Sequence, residues 1–299
     1  MRMTGAACAL LPAAALTLTA CGSGNPLIPG PKKGQITVAS ANFPENVLLA
    51  DIYASELSAK GFKVGTKFNV GSREVLYQQV ENGSVSVLPE YNGALLSFLD
   101  PKTQASTTEE VDAALAKALP ASMEILASSP AEDKNALVVT GATAQKDHLT
   151  SIGDLQPFAS AMTLGGPPEF KVRQEGLPGL KEKYGLTFKD FKALDTAGPL
   201  TVKALSEGSV QVATLFTTDP KIEADGFAVL TDPRHVFSAQ NVTPLAYRAS
   251  LNAKAVETLN TVSTKLTTAA LASMMREVLI DKKDIDVVAD GWLKSAGLK

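Results

Sequence analysis

The sequence predicts an α/β protein of two lobes with a cleft between them, and three observations carry that prediction. Between residues 35 and 91, strand-like and helix-like stretches alternate in the order βαβαβ. A second such series begins at residue 135. The chain, at 299 residues, also exceeds the roughly 100 to 200 residues of a usual domain. Alternation of this kind calls for parallel strands joined by right-handed crossovers.

The elements follow in order. "QITVAS" (35–40) reads as a strand. In 42–60, Val47, Leu48, Ile52 and Leu57 recur at helical spacing, and Gly61 closes the helix. "FKVGTKFNV" (62–70) is a strand, "SREVLYQQVENG" (72–83) a helix with Ser72 as its cap, and "VSVLPEY" (85–91) a third strand. The second series comprises "NALVVT" (135–140), a helix near 152–161, "AMTLGG" (161–166) and a helix near 179–184. It continues with "FKALD" (191–195), a helix over 199–207 and "VQVATLF" (210–216). Helices over 253–269, 268–280 and 285–296 end the chain. Glu109 and Glu110 sit at the start of an exposed helix, where they complement its dipole.

The N-terminus addresses the compartment. Arg2 precedes an apolar run, and Leu18-Thr19-Ala20-Cys21-Gly22 follows it. That pattern is a lipoprotein signal peptide (1–20), in which the small Ala20 permits cleavage and Cys21 takes the lipid. The run falls short of the roughly 20 residues of a comfortable membrane span; a short membrane anchor is the alternative. "GSGNPLIPGPKKG" makes 21–34 a flexible tether. Cys8 leaves with the signal, so the mature chain keeps only Cys21, with no disulfide and no cysteine metal site. Apolar residues at 45%, charged ones at 20% and a net charge of −3 describe an ordinary globular chain. Its basic residues are spread among acids, which argues against nucleic acid.

In α/β sheets ligands bind at the carboxyl ends of the strands. That rule selects Ala41-Asn42-Phe43, Gly71-Ser72-Arg73, Glu90-Tyr91-Asn92 and Phe216-Thr217-Thr218-Asp219. Tyr91, which a strand pattern alone would place in the core, thereby becomes a ring facing the cleft.

Five ordered blocks carry a resemblance: "NFPENVLLADIYASELSAKGFKV", "VGSREVLYQQVENGSVSVLPEYNG", "PPEFKVRQEGLPGLKEKYGLTF", "GPLTVKALSEGSVQVATLFTTDP" and "FSAQNVTPL". Together, from about Gln35 to the C-terminus, they resemble the ProX/OpuC-type substrate-binding proteins of osmoprotectant ABC importers. The resemblance implies a type II periplasmic-binding-protein fold, with 35–137 plus 245–299 as one lobe, 138–244 as the other, and two crossing segments. It implies a monomeric receptor that closes on its solute and hands it to a permease and its ATPase, with no cofactor and no chemistry done on the ligand. The lipid would hold the receptor at the outer face of the membrane, raising its local concentration there.

The ligands so implied are glycine betaine, choline and carnitine, held by a cage of tyrosines through cation–π attraction. Tyr91 matches one cage position, whereas Asn135, Phe216 and Gln240 stand where further aromatic, mostly tyrosine, residues are expected. Losing two faces weakens a betaine complex by roughly 1–4 kcal/mol at about 0.5–2 kcal/mol each. The amides of Asn135, Gln240 and Asn241 suit a more polar ligand, such as a polyol, a sugar or a phenolic. A lipoprotein that has lost ligand binding is a third reading.

Other positions carry two readings each. Arg173 can clamp a ligand carboxylate or form a salt bridge. Asp133 and Asp219 can orient donors or seal the hinge, Asp219 before Pro220 being also a turn residue. Thr217 and Thr218 are hydrogen bonders or strand-end caps, and Ser72 is a helix cap or an anion site. Catalysis finds little support. Only His148 and His235 are present, with no His-Glu-x-x-His and no G-x-S-x-G, so neither a metal site nor a serine triad is expected.

Overall fold

The computed structural model describes residues 34–299. The signal peptide, Cys21 and all but the last residue of the tether lie outside the described residues. The elements are β1 (Ile36–Ala41), α1 (Pro44–Ala59), β2 (Val64–Gly71), α2 (Arg73–Glu81), β3 (Val87–Tyr91), α3 (Asn92–Leu99), α4 (Thr108–Ala118) and β4 (Met123–Ile125). They continue with β5 (Asn135–Thr140), α5 (Gly141–Asp147), β6 (Thr163–Gly166), α6 (Leu177–Tyr184), β7 (Asp190–Ala193), α7 (Pro199–Ser206) and β8 (Val212–Phe216). The last are α8 (Lys221–Ala224), β9 (Phe227–Val229), β10 (Val242–Tyr247), α9 (Ala253–Lys265), α10 (Thr268–Leu279) and α11 (Ile285–Ser295).

The strands form two five-stranded sheets, in the orders β2-β1-β3-β10-β4 and β7-β6-β8-β5-β9. In the first, β1 pairs in parallel with β2 and β3, and β10 returns antiparallel to β3. In the second, β6 pairs in parallel with β7 and β8, and β5 runs antiparallel to β8. Each sheet thus receives one antiparallel strand from the chain that crosses from the other. The crossing segments run side by side, joined at Glu132 and Asn241 and by Asp133 N donating to Gln240 O at 3.0 Å.

Burial on both faces explains why the strands read as continuous apolar runs. Along β3, Val87 and Tyr91 enter one core and Leu88 the opposite one; along β5, Leu137 and Val139 face one side, Ala136 and Val138 the other. Each sheet is therefore sandwiched between two apolar clusters, and none of the four spans both lobes. What joins the lobes is polar contact and a group of aromatic rings.

The helix expected near 152–161 is two 3₁₀ turns, Ile152–Leu155 and Ala159–Ala161. Pro157 between them has no N–H to continue a ladder. The run expected over 253–269 stops at Lys265, because Thr267 turns out of the helix and caps the next by accepting from Ala270 N. Ser72 occupies an N-cap position without capping through its side chain; its hydroxyl donates to Glu74 instead.

Candidate functional site

The carboxyl ends of the parallel strands in both sheets open onto one cleft, of about 740 Å³ with the open solvent at its mouth included. From the first lobe it takes Asn42 and Phe43 after β1, Ser72 and Arg73 after β2, and Glu90 and Tyr91 at the end of β3. The second lobe contributes Pro167, Glu169, Phe170, Arg173 and Glu175 beyond β6, Thr196 beyond β7, and the cross-strand neighbours Asn135 and Phe216. Gln240 enters from a crossing segment.

Local sequence fixes these positions. Pro44 at the first turn pre-sets the start of α1 and leaves Phe43 extended before it. Asn46, one turn in, accepts from Ala41 N at 2.7 Å and donates to Pro89 O at 2.9 Å, so one side chain ties the ends of β1 and β3 together. Three rings then meet. Phe43 lies 6.2 Å from Tyr91 and 5.1 Å from Phe216, and Tyr91 and Phe216 are nearly parallel, 11° apart in plane, at 6.4 Å. These are stacking distances, and they bridge the lobes.

Beneath the rings the wall is acidic. The Tyr91 hydroxyl donates to Glu45 Oε1 at 2.7 Å, and Thr218 Oγ1, from the other lobe, donates to Glu45 Oε2 at 2.6 Å. Burial, then the charges of Glu45 and Asp133, push the Tyr91 hydroxyl well above its usual range, so it stays a donor. Glu45 is itself raised by burial, against the pull of those hydroxyls.

Other lining groups are paired ions. Arg73 holds Glu90 through two bonds of 2.8 Å, both partners within the first lobe. Arg173 reaches across the cleft to Glu74 through two bonds of 3.0 Å. Burial works against the Glu74 charge, but Arg173 and the Ser72 hydroxyl hold its carboxyl down at about 2. Glu175, buried and raised by burial although Arg73 opposes the shift, accepts from Ser238 and from Gln240 Nε2. The amide of Gln240 is thereby committed, whereas Asn135 lines the cleft with no side-chain hydrogen bond among the described residues.

Of the residues selected from sequence, Asn42, Phe43, Ser72, Tyr91, Asn135, Arg173, Phe216 and Gln240 line this cleft. Others stand behind its wall. Asn92 Oδ1 accepts from Asn241 N at 2.8 Å, and Asn241 Nδ2 donates to Ser129 O, so this pair braces the crossing segments. A Cβ at Gly93 would collide with the Ala239 carbonyl on the same segment. Thr217 Oγ1 and Thr218 N both donate to Asp133 Oδ1, at 3.1 and 3.0 Å. Arg73 and Glu90, which the strand-end rule also selects, line the cleft as well. Sequence reasoning left out Glu45, Asn46 and Glu175, and Glu45 and Glu175 carry no signal that separates them from exposed acids.

Residues 34–295 match the family model described as the substrate binding domain of ABC-type glycine betaine transport systems. The glycine betaine-binding protein YehZ of Escherichia coli strain K12 is 25% identical over 277 residues, covering 88% of this chain and 90% of that protein. Among solved structures, a glycine betaine/carnitine/choline ABC transporter protein superposes with a TM-score of 0.69 at 22% identity, over 88% of this chain and 99% of that one. Lactococcal OpuAC, in its closed form with glycine betaine, gives 0.64 at 17% identity, over 88% and 96%. The fold is that of the type II periplasmic binding proteins.

Proposed function

The chain belongs to the family of substrate-binding domains of ABC-type glycine betaine transport systems, and we propose that it holds a betaine-like quaternary ammonium solute between its lobes. The ammonium lies against Tyr91, Phe43 and Phe216, and the anionic end takes Arg173 in exchange for Glu74. The observation that carries this reading is the three-ring cluster over a buried carboxylate, which favours a cation from both the ring faces and the charge beneath. The two lobes, one built on each sheet, close on the solute, and the permease with its ATPase reads the closed form. The protein does no chemistry on the solute and acts as a monomer outside the cytoplasmic membrane, held by lipid on Cys21. Labelling with a fatty-acid analogue tests the anchor: the label should be lost in Cys21→Ala.

Calorimetric titration with glycine betaine tests the ligand. Micromolar binding, about −8 kcal/mol, is expected; no heat at millimolar betaine refutes it. One observation favours a second reading. The unengaged Asn135 amide occupies a position where the family resemblance implies a ring, which suits a polyol, sugar or phenolic, and those solutes would then give the heat that betaine does not.

A further inference from the structure

Behind the rings, Glu45 and Asp133 face one another across the seam between the lobes. Both are buried, at 2% and 1% exposure, and their carboxyls lie within hydrogen-bonding reach of each other. Their donors are unevenly shared. Glu45 accepts a hydroxyl on each oxygen, from Tyr91 and Thr218. Asp133 Oδ1 accepts from Thr217 Oγ1 and Thr218 N, but its buried Oδ2 has no donor among the described residues. A buried oxygen without a donor, beside a carboxylate with its own donors in place, is the geometry of a protonated acid giving its hydrogen to that carboxylate.

Among the described residues, the groups facing the pair supply no cation. They are Tyr91 at the end of β3, Thr217 and Thr218 beyond β8, and Asp219, which adds negative charge. Burial first, then the Glu45 charge, raises Asp133 well above the ordinary carboxylate range. A second, smaller cleft reaches Glu45, Thr218 and Asp219 from behind Phe43 and Phe216, a route to water separate from the solute cleft.

We propose that Glu45 and Asp133 share one proton in the closed form and that closing the lobes takes this proton up, so that solute binding is linked to pH. Opening parts Thr218 from Glu45 and lets water reach both carboxylates, whose proton affinity returns to that of ordinary acids. The sign follows. Closure binds the proton more tightly, so it is strongest at low pH, weakens as pH rises above about 4, and levels off above the pair's closed-state pKa. Because one proton is involved, affinity changes about tenfold per pH unit inside that window. The inference rests on the solute-receptor reading only in using solute to drive closure.

The test is calorimetry of glycine betaine binding at intervals from about pH 4.5 to about pH 8 in two buffers of different ionisation enthalpy, on the protein and on Asp133→Asn. The asparagine amide can donate to Glu45 where the shared proton did. Across this range the protein should take up protons on binding, to a maximum approaching one, and the variant should bind with none and with an affinity flat in pH. Binding without proton uptake in the protein, or equal uptake in the variant, overturns the proposal. Glu45→Gln, expected to lose the linkage as well, serves if Asp133→Asn fails to fold. Should betaine give no heat, the ligand assignment fails by itself, and fluorescence transfer between labels on the two lobes reads the device without solute. A closed fraction that rises as pH falls in the protein and not in the variant supports it, and a pH-independent closed fraction refutes it.

Discussion

Replacing Tyr91 by leucine and by phenylalanine separates the two jobs that its side chain performs. The hydroxyl donates to Glu45 at 2.7 Å in a site only 5% exposed. Phenylalanine leaves that carboxylate oxygen without one of its donors, at a cost of about 1–3 kcal/mol to stability. It keeps the ring that stacks on Phe43 and Phe216. Leucine loses the same hydrogen bond and the ring face too. The difference between the two variants in betaine affinity is therefore the ring's own contribution, about 0.5–2 kcal/mol, or roughly 2- to 30-fold in Kd. Calorimetry on both variants, with folding checked by thermal melts, reads it. If leucine and phenylalanine bind betaine equally well, the ring does not face the ammonium and the cage assignment is wrong.

Arg173→Ala should weaken betaine binding by roughly 10- to 100-fold, the loss of a charge-assisted bond worth about 1.5–3 kcal/mol. Glu74→Gln, which frees Arg173 from its partner, should tighten binding a few-fold in the same titration; neither should move the melting temperature much, since the pair is partly exposed. Asn135→Tyr places a ring beside Phe216, its cross-strand neighbour, and should tighten betaine binding roughly 2- to 30-fold by calorimetry. Burial, with Glu45 nearby, raises Asp219 to about 6. Its folded form therefore favours the proton, and stability falls as pH rises from about 4 to about 6 and stays reduced above. Asp219→Asn should relieve on the order of 3 kcal/mol, raising the thermal midpoint by several degrees at pH 8 and leaving it unchanged at pH 4.

The α/β alternation was legible because strands buried on both faces leave compact β-branched runs, and 135–140 was read with the bounds that β5 has. Strand β10 was not. Pro244 lies in its middle, directly opposite Pro89 of β3, and a proline inside an apolar run argues against a central strand. The pairing works because neither carbonyl is orphaned: Pro89 O accepts from Asn46 and Pro244 O from Leu126 N. The site divides in the same way. Tyr91, Phe43 and Phe216 were legible as strand-end positions, a property of local order. Glu45 was not, because a glutamate in the first turn of a helix is ordinarily a surface partner of the dipole. Its burial is decided by Thr218, 173 residues away, and by the way two lobes meet.

The central claim is that the solute's ammonium sits against the three rings that bridge the lobes. Betaine's methyl protons give one intense resonance, and transfer of magnetisation from it to assigned ring protons reports contact directly. The account predicts cross-peaks to Tyr91, Phe43 and Phe216 in the bound state. Bound betaine with cross-peaks to none of the three rings would contradict it.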